Sequence, residues 1–314
     1  MIREGHDPLA EKRRRNETPT FEAYSRGLYD RIRHQWRNPK HQAQWLSTMQ
    51  TYVFPKIGRL KIDEVGGADI RRVLEPIWIE KAETARRVKQ RIGVVFKSAK
   101  AEGFYKNANP VDGIEVALGK ARAPVKHVKS LPYAELPAFY QEIDGHMGVL
   151  PAAAFKLLIL TVARTGDVIF ARPEEFDLEN AVWTIPGSRH KTNKDFAIPL
   201  STPAIEVTRL ALSLHECEEF LFRGPDNCRP LSNGAFAAAM KRMKVDAKPH
   251  GFRSTFRVWA EETTACPHEV KEKVLSHTIR NKVEAAYQRS DLLEKRRDVM
   301  AEWASYVEGE NGAS

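Results

Sequence analysis

The sequence has few cysteines and no long apolar run. Its three cysteines are widely separated, and an odd number of isolated cysteines does not form a disulfide framework. The longest apolar run, from Pro151 to Ala163, is interrupted by Lys156 and falls well short of the roughly 20 residues that span a bilayer. The first residues are too charged for a secretory signal. These absences favour a soluble, cytoplasmic protein without a membrane partner.

Acidic residues are outnumbered by basic ones. The chain has 50 Lys and Arg against 41 Asp and Glu, a net charge of +9, and such a chain is attracted to polyanions, above all to nucleic acid. Clustered metal ligands are scarce, because the pairs His215 with Cys217 and Cys266 with His268 are too sparse for a convincing site. The composition therefore predicts a nucleic-acid partner, and neither a metal nor another cofactor.

The first half of the chain has a helical pattern over residues 20–116, after a polar, basic arm over residues 1–19. Apolar residues three or four apart predict one buried helix face. They are Ala85, Val88, Ile92, Val95, Phe96 and Ala99. A second row contains Gly93, which leaves room for close backbone approach, and four basic residues. Those four, Arg86, Lys89, Lys97 and Lys100, predict a face laid along DNA phosphates, with an ordinary solvated face as the alternative.

Residues 117–129 have the proline, glycine and lysine content of a linker, so we expect a second domain over residues 130–314. It is mostly helical, but two strand patterns at residues 181–185 and 196–200 flank a polar connection and predict a β-hairpin, with residues 176–178 as a third strand. Lys191 and Lys194 fall in the hairpin tip. The predicted fold class is mainly α with a small antiparallel β-sheet.

Several motifs in the second half carry candidate chemistry. Cutting a phosphodiester without a metal needs a nucleophile, cations for the non-bridging oxygens and an acid for the leaving oxygen. His250, Arg253 and Arg257 share one helix face, where an anion would meet a helix N-terminus and an arginine fork, and Arg257 is a predicted DNA contact. Arg164 directly follows a buried apolar run, so Asp167 is its expected ionic partner.

The remaining candidates are the tip lysines, His277 and Tyr287. A tip lysine is normally solvated, but against DNA it could give a proton to a leaving oxygen, and Lys194 is also a predicted DNA contact. A phenol titrates at about 10, so Tyr287 needs neighbouring cations or a base before it attacks phosphorus. Taken singly, each motif has a more ordinary explanation, such as a surface histidine, a buried ion pair or a packed tyrosine ring.

The order of these motifs resembles that of the tyrosine recombinase family. Arg-x-x-Asp, a hairpin lysine, His-x-x-Arg, Leu-Ser-His and a tyrosine follow one another along the chain. The strings LTVARTGDV, HGFRSTFR, KVEAAY and DLLEKRR resemble prophage and genomic-island integrases. The resemblance covers nearly the whole chain, because residues 20–113 also resemble the family's helical core-binding domain.

This resemblance implies a fold and a reaction. The fold would be a helical, SAM-like core-binding domain followed by an α+β catalytic domain. Tyr287 would be the nucleophile of a site-specific recombinase, forming a 3′-phosphotyrosyl bond and releasing a 5′-hydroxyl. Arg164, Arg253 and His277 would bind the scissile phosphate and stabilise its transition state.

The resemblance also implies supporting roles. Lys191 would be the general acid, with Lys194 as its rival, and His250 would handle protons or bind phosphate. Asp167 would orient Arg164, although the family more often has the longer Glu at this position. Ser276 stands where the family usually has glycine.

The partners that the resemblance implies are the duplex attachment sites of a mobile element such as a prophage. The chain would form a homotetramer on synapsed DNA, be a monomer without DNA, associate with the nucleoid, and work with accessory DNA-bending or directionality proteins. The opening string REGHDPLAE resembles the stretch just after the family's arm-binding domain, so we expect a truncated or naturally short form.

Two expectations concern larger assemblies. Basic residues on both halves predict that the two domains clamp duplex DNA from opposite sides. An apolar set after Tyr287 predicts a helix that packs on a neighbouring protomer, with docking on its own domain as the alternative. That set is Leu292, Leu293, Val299, Trp303 and Tyr306. Other functions stay open: a type IB topoisomerase, a catalytically silent DNA-binding regulator and a metal nuclease.

Overall fold

The computed structural model describes residues 17–36, 39–119, 128–214, 219–224, 229–277 and 291–310. The chain divides into two compact units, Met1–Lys126 and His127–Ser314. Both are mainly helical, as the sequence predicts, and the second contains a small sheet. Across these described ranges, no helix is both long enough and apolar enough to cross a membrane.

The first unit packs its helices around the apolar face of one long helix. The helices are α1 (Phe21–Ile32), α2 (Pro39–Tyr52), α3 (Phe54–Ile57), α4 (Gly67–Leu74), α5 (Ala82–Ala101) and α6 (Ile114–Leu118), with 3-10 turns at Arg33–Gln35, Ile62–Glu64 and Glu75–Ile77. α1 begins where the hydroxyl of Thr20 accepts a hydrogen bond from the N–H of Ala23. Every residue of the apolar face predicted for α5 is buried, and α5 contacts α1, α2 and α4.

The space beside Gly93 on α5 is occupied by residues 109–111 of the same unit and is not open to DNA. A Cβ at Gly93 would lie 3.2 Å from Cγ2 of Val111, and the Asn109 side chain donates a hydrogen bond to the Gly93 carbonyl at 3.0 Å. The glycine therefore lets the turn before α6 pack against α5. Arg91 on the same helix is also turned inward, 7% exposed, and donates to the carbonyl of Gln44.

The second unit surrounds the apolar helix α8. Its helices are α7 (Leu136–His146), α8 (Val149–Thr161), α9 (Thr165–Ile169), α10 (Thr202–Ser213), α11 (Ala235–Arg242), α12 (Phe252–Thr263), α13 (His268–Val274) and α14 (Leu293–Glu308), with 3-10 turns at Tyr133–Glu135, Pro173–Glu175 and Pro249–Gly251. A helix that is apolar on all sides belongs in the core, and α8 is buried over most of its length, in contact with α7, α10 and α14.

The sheet confirms the predicted hairpin and third strand. Strands β1 (Phe176–Asp177), β2 (Val182–Ile185) and β3 (Phe196–Pro199) are antiparallel in the order β1-β2-β3. The β2–β3 connection folds back on itself, because the N–H of Gly187 donates to the Asp195 carboxylate at 2.7 Å. A Cβ at Gly187 would lie 2.9 Å from the backbone of Asn193, so this close return favours glycine.

The C-terminal helix α14 belongs to the core of its own unit. Its buried apolar residues are Val299, Met300, Trp303, Ala304 and Val307, and Arg296 is buried as well. The indole of Trp303 is fully buried against the rings of Phe256 and Trp259, and its N–H donates to the carbonyl of Ile159 at 2.9 Å. The hypothesis that this helix packs on a neighbouring protomer is therefore wrong, because its apolar side is already covered. The alternative, docking on its own domain, is confirmed.

Candidate active site

Arg253 is buried at the start of α12. Its Nη1 donates to the carbonyl of Val162 at 2.6 Å, and its Nη2 donates to the carbonyl of Leu275. Val162, the residue directly after α8, has φ +54°, a left-handed conformation that is unusual for a β-branched residue. Burial, followed by the charge of Arg164, lowers the pKa of Arg253 to about 10. The guanidinium is thus held rigidly, with an unfavourable positive charge that an anion would relieve.

A close approach of two chain segments fixes the turn that precedes Arg253. A Cβ at Gly251 would lie 2.4 Å from the carbonyl oxygen of Lys129, so only glycine fits there without moving the backbone. The hydroxyl of Thr255, one turn into α12, donates to the carbonyl of Leu131 at 2.6 Å. These contacts place His250 and Arg253 at a defined end of the helix.

Arg164 lies beside Arg253 in this site. Its Nη2 donates to the carbonyl of Ser276 at 3.1 Å, so the two arginines are anchored on consecutive carbonyls, those of Leu275 and Ser276. Its Nη1 lies 3.0 Å from Nε2 of His190. Two fixed guanidinium groups, anchored on one short segment, thus present planar forks of donors of the kind that suits an anion.

Asp167, the expected partner of Arg164, is buried at a longer distance. One carboxylate oxygen lies 3.8 Å from Nη1 of Arg164, within ion-pair range but beyond a hydrogen bond. Burial raises the pKa of Asp167, and the charge of Arg164 opposes this rise. The carbonyl of Ser276 and the ring of His190 therefore hold Arg164 more closely than Asp167 does.

His277 extends from the same short segment. Its Nδ1 lies 2.8 Å from a carboxylate oxygen of Glu272, which can only accept, so Nδ1 donates and Nε2 remains for the site. Partial burial, and then the charges of Arg253 and Arg164, lower the pKa of His277. The other oxygen of Glu272 accepts from Arg257, so this predicted DNA contact is an ion pair within the protein. Glu272 itself is missing from the predicted set of residues.

The structure separates the two candidate lysines of the hairpin tip. Both side chains are exposed. The charge of Lys191 is among those that lower the pKa of both His250 and His277, after partial burial and the charges of Arg253 and Arg164. The backbone of Lys194 instead forms a hydrogen bond with His190, and this bond raises the pKa of His190. Lys191 is therefore the tip lysine whose charge contributes to lowering the pKa of His250 and His277.

His190 is a site residue that the sequence did not reveal. It is 3% exposed, and its Nε2 lies 3.0 Å from Nη1 of Arg164 and 3.2 Å from the hydroxyl of Ser276. Ser276 has φ +46°, in the left-handed region that favours glycine, and its hydroxyl adds this contact. The only sign of it in the sequence is that His190 directly precedes Lys191, the candidate general acid.

Tyr287, the predicted nucleophile, lies outside the described residues, which stop at His277 and resume at Asp291. His215 and Cys217 lie outside them as well. Among the residues that are described, no three His, Cys, Asp or Glu side chains converge as metal ligands would.

The predicted basic face of α5 is only partly available. Arg86 is hydrogen-bonded to Glu83 at 2.9 Å, and Lys89 is paired with Glu115 on α6. Lys97 and Lys100 are exposed on the same helix. These two lysines are therefore better placed to meet phosphates than the other two basic residues of the row.

Two protein-family models match this chain. The phage integrase central domain matches residues 21–114, and the phage integrase family model matches residues 129–293, more than half of the chain. The chain belongs to the phage integrase family. It is a tyrosine recombinase of the prophage type, and the resemblance noted in the sequence is confirmed.

Individual relatives agree with this assignment. The integrase of Enterobacteria phage P4 is 28% identical over 98% of this chain and 74% of its own length, and prophage integrase IntZ of Escherichia coli K12 is 30% identical over 83% and 65%. The chain thus spans about two thirds to three quarters of these relatives. The fold matches that of a lambda integrase tetramer bound to a Holliday junction, with a TM-score of 0.69 at 18% identity over 88% of this chain and 83% of that one.

A transposon integrase shares the same fold. The Tn1549 transposon integrase, in complex with a circular intermediate DNA, matches with a TM-score of 0.66 at 17% identity, over 83% of this chain and 92% of that chain. At these identities the structural matches establish the fold alone, and the predicted fold class is confirmed.

Proposed function

We propose that this integrase cuts and rejoins DNA at specific sites through a covalent bond between Tyr287 and a DNA phosphate. The anchoring of Arg164 and Arg253 on the consecutive carbonyls of Leu275 and Ser276 carries the proposal. The two forks would face the non-bridging oxygens of the scissile phosphate and stabilise the charge that builds up as phosphorus is attacked. His277, next along the segment, would add a third contact.

The reaction exchanges one phosphoester for another. The Tyr287 oxygen attacks phosphorus, the bond to the 5′ oxygen breaks, and the DNA is left with a 3′-phosphotyrosyl bond and a 5′-hydroxyl. Lys191 gives a proton to the departing 5′ oxygen, and His250, whose lowered pKa favours the neutral ring, is available to take the phenolic proton. Rejoining is the reverse reaction, so no nucleotide hydrolysis is needed.

A covalent trap tests this proposal. Purified protein is mixed with a library of nicked suicide duplexes in the presence of EDTA and without ATP, and adducts are isolated in SDS. We expect a stable protein–DNA adduct that mass spectrometry maps to Tyr287, and sequencing of the captured ends identifies the preferred sites. A wild-type adduct on any other residue would disprove the proposed mechanism.

The proposal extends to partners and assembly. We infer that the substrates are duplex attachment sites of a mobile element, and that the chain is monomeric alone and tetrameric on synapsed DNA. The match to a lambda integrase tetramer on a Holliday junction supports this assembly. Residues 20–116 and 130–314 would clamp the duplex across the linker at residues 117–129, in the cytoplasm and on the nucleoid. Accessory DNA-bending or directionality proteins would set the direction of recombination.

We expect the double variant Lys97→Ala/Lys100→Ala to weaken binding to all DNA sequences alike. Each lysine that neutralises a phosphate contributes roughly −0.9 to the slope of log affinity against log salt, so the slope becomes shallower. Fluorescence anisotropy over a salt series measures it. The matched double variant Arg86→Ala/Lys89→Ala should change the slope less, because Glu83 and Glu115 already pair with those charges. Equal losses in both variants would contradict this assignment.

We expect Lys191→Ala to lose cleavage of ordinary DNA and to regain it on DNA with a 5′-bridging sulfur. A thiolate leaves without needing a proton, so only the loss of a general acid is repaired in this way. Single-turnover adduct formation on the two substrates measures the effect. Lys194→Ala is the matched variant from the same tip, and selective sulfur rescue of that variant would move the acid role to Lys194.

We expect DNA affinity to rise as pH falls through the range around the ordinary histidine value of about 6.5. In the free protein, partial burial and nearby cations lower the pKa of His250 and His277. A bound phosphate favours the protonated forms of both histidines, so their pKa is higher in the DNA complex than in the free protein. Between these two pKa values DNA binding takes up protons, and affinity rises as pH falls. Below the pKa of the free protein the rings are already protonated, and affinity no longer changes. Anisotropy at constant ionic strength measures this effect. The double variant His250→Gln/His277→Gln should lose the dependence, and a flat wild-type profile would contradict the argument.

A further inference from the structure

His190 is buried between the hairpin tip and the arginine pair. Its Nε2 faces Nη1 of Arg164 at 3.0 Å, and its Nδ1 lies 2.9 Å from the hydroxyl of Thr192. A guanidinium has donors only, so Nε2 is the unprotonated acceptor and Nδ1 carries the hydrogen that is donated to Thr192. Burial, which lowers the pKa of His190 against the opposing charge of Asp167, maintains this neutral form.

The ring of His190 is held by a stack that reaches α14. It lies parallel to the ring of Phe196, with 5.0 Å between centroids and 6° between planes. The ring of Phe196 also contacts the guanidinium of Arg296, which lies 5.1 Å from the ring centroid. Arg296 is 1% exposed and donates to the carbonyl of Ala197 at 2.7 Å and to the carboxylate of Asp291 at 2.8 Å. The imidazole therefore has little freedom to move.

Among the residues that the structure describes, His190 makes the shortest contact with Nη1 of Arg164, at 3.0 Å. A second acceptor near Nη1 is the Asp167 carboxylate at 3.8 Å, an anion with strong attraction for the guanidinium. If His190 offered no acceptor, Arg164 would turn toward Asp167 and close a bidentate pair with it. In that orientation its donors would be used within the protein and would no longer face a phosphate.

We propose that His190 is a positioning residue that holds Arg164 in the orientation needed to bind the scissile phosphate. This inference rests on the proposed function, and it gives His190 no contact with DNA. The stack of Phe196 and Arg296 fixes the ring, and the ring fixes the guanidinium. Because Arg296 lies on α14, which follows Tyr287 in the chain, these contacts connect the chain after the nucleophile to Arg164.

Two substitutions separate the hydrogen bond from the stack. His190→Phe keeps a flat ring against Phe196 but removes the acceptor, whereas His190→Gln restores an acceptor near the position of Nε2. On a suicide duplex, we expect His190→Phe to slow single-turnover adduct formation by roughly a hundredfold, the effect of misplacing one group by about 1 Å. DNA affinity should stay near that of the wild type. His190→Gln should recover most of the rate, and His146→Phe, an exposed histidine elsewhere in the unit, should behave as wild type.

Two further measurements, cleavage of 5′-bridging sulfur DNA and a crystal structure of His190→Phe, test whether His190 acts through Arg164. Because His190 acts through Arg164, the defect of His190→Phe should persist on 5′-bridging sulfur DNA. Rescue there would overturn the inference and tie His190 to the Lys191 proton instead, and an undiminished rate on ordinary DNA would also overturn it. A crystal structure of DNA-free His190→Phe should show Arg164 turned toward Asp167, and an unmoved Arg164 would refute the inference. If wild-type protein forms no adduct, the proposed function is wrong. The crystal structure of His190→Phe still tests whether His190 sets the orientation of Arg164, because that test does not depend on cleavage.

Discussion

Tyr287→Phe is expected to bind DNA with the affinity of the wild type and to form no covalent adduct. The substitution keeps the aromatic ring and removes only the hydroxyl, the one oxygen that is proposed to attack phosphorus. The arginine pair, His277 and Lys191 are left intact, so the phosphate is still bound. No other group in the proposed mechanism can replace the missing nucleophile, and the loss of adduct should be complete within the detection limit.

The measurement combines anisotropy for binding with SDS gels for the adduct, on the same suicide duplex. Tyr306→Phe is a matched control, because it removes a hydroxyl in the same unit that donates to the carbonyl of Tyr133 at 3.1 Å. That variant should lose about 1 kcal/mol of stability and keep full adduct formation. Adduct formation by Tyr287→Phe would show that another residue is the nucleophile.

Local patterns made much of the fold predictable from the sequence. The apolar face of α5 follows helical periodicity, and all six of its predicted residues are buried. The hairpin follows from two short strand patterns, and each observed strand is one residue shorter than predicted. These features depend on side chains that are close in sequence, so the pattern itself carries the information.

The connections within the candidate site were not predictable in this way. Arg164 reaches His190 and Ser276 across separations of 26 and 112 residues, and no local pattern encodes such pairs. Motif order supplied the arginines and His277 through family resemblance, but it gave no sign of His190 or Glu272, which hold them. The apolar residues of α14 were recognised from the sequence, but they were predicted to pack on a neighbouring protomer, whereas they pack on their own unit. Periodicity shows that a helix face is buried, but it does not show which surface covers that face.

Removal of residues 292–314 is expected to unfold the second unit and so abolish DNA cleavage. Five apolar side chains of α14 are buried in the core, all but Ala304 large, and burial of one large apolar side chain contributes about 1.5–3 kcal/mol. The summed loss, on the order of 10 kcal/mol, is comparable with the whole stability of a typical domain, about 5–15 kcal/mol. The truncated protein should lack a cooperative thermal transition for this unit in calorimetry.

A single substitution tests the same helix without removing the chain. Trp303→Ala should cost about 3–5 kcal/mol, because it empties a fully buried site among Phe256 and Trp259 and leaves the carbonyl of Ile159 without its donor. For a domain of this size, that loss lowers Tm by on the order of 10 °C. Glu302→Ala, the exposed neighbour on α14, should change stability by no more than about 0.5 kcal/mol. A truncated protein that melts like the wild type and loses only its assembly on DNA would instead place α14 at a subunit interface, since a helix needed by its own core cannot be removed without cost.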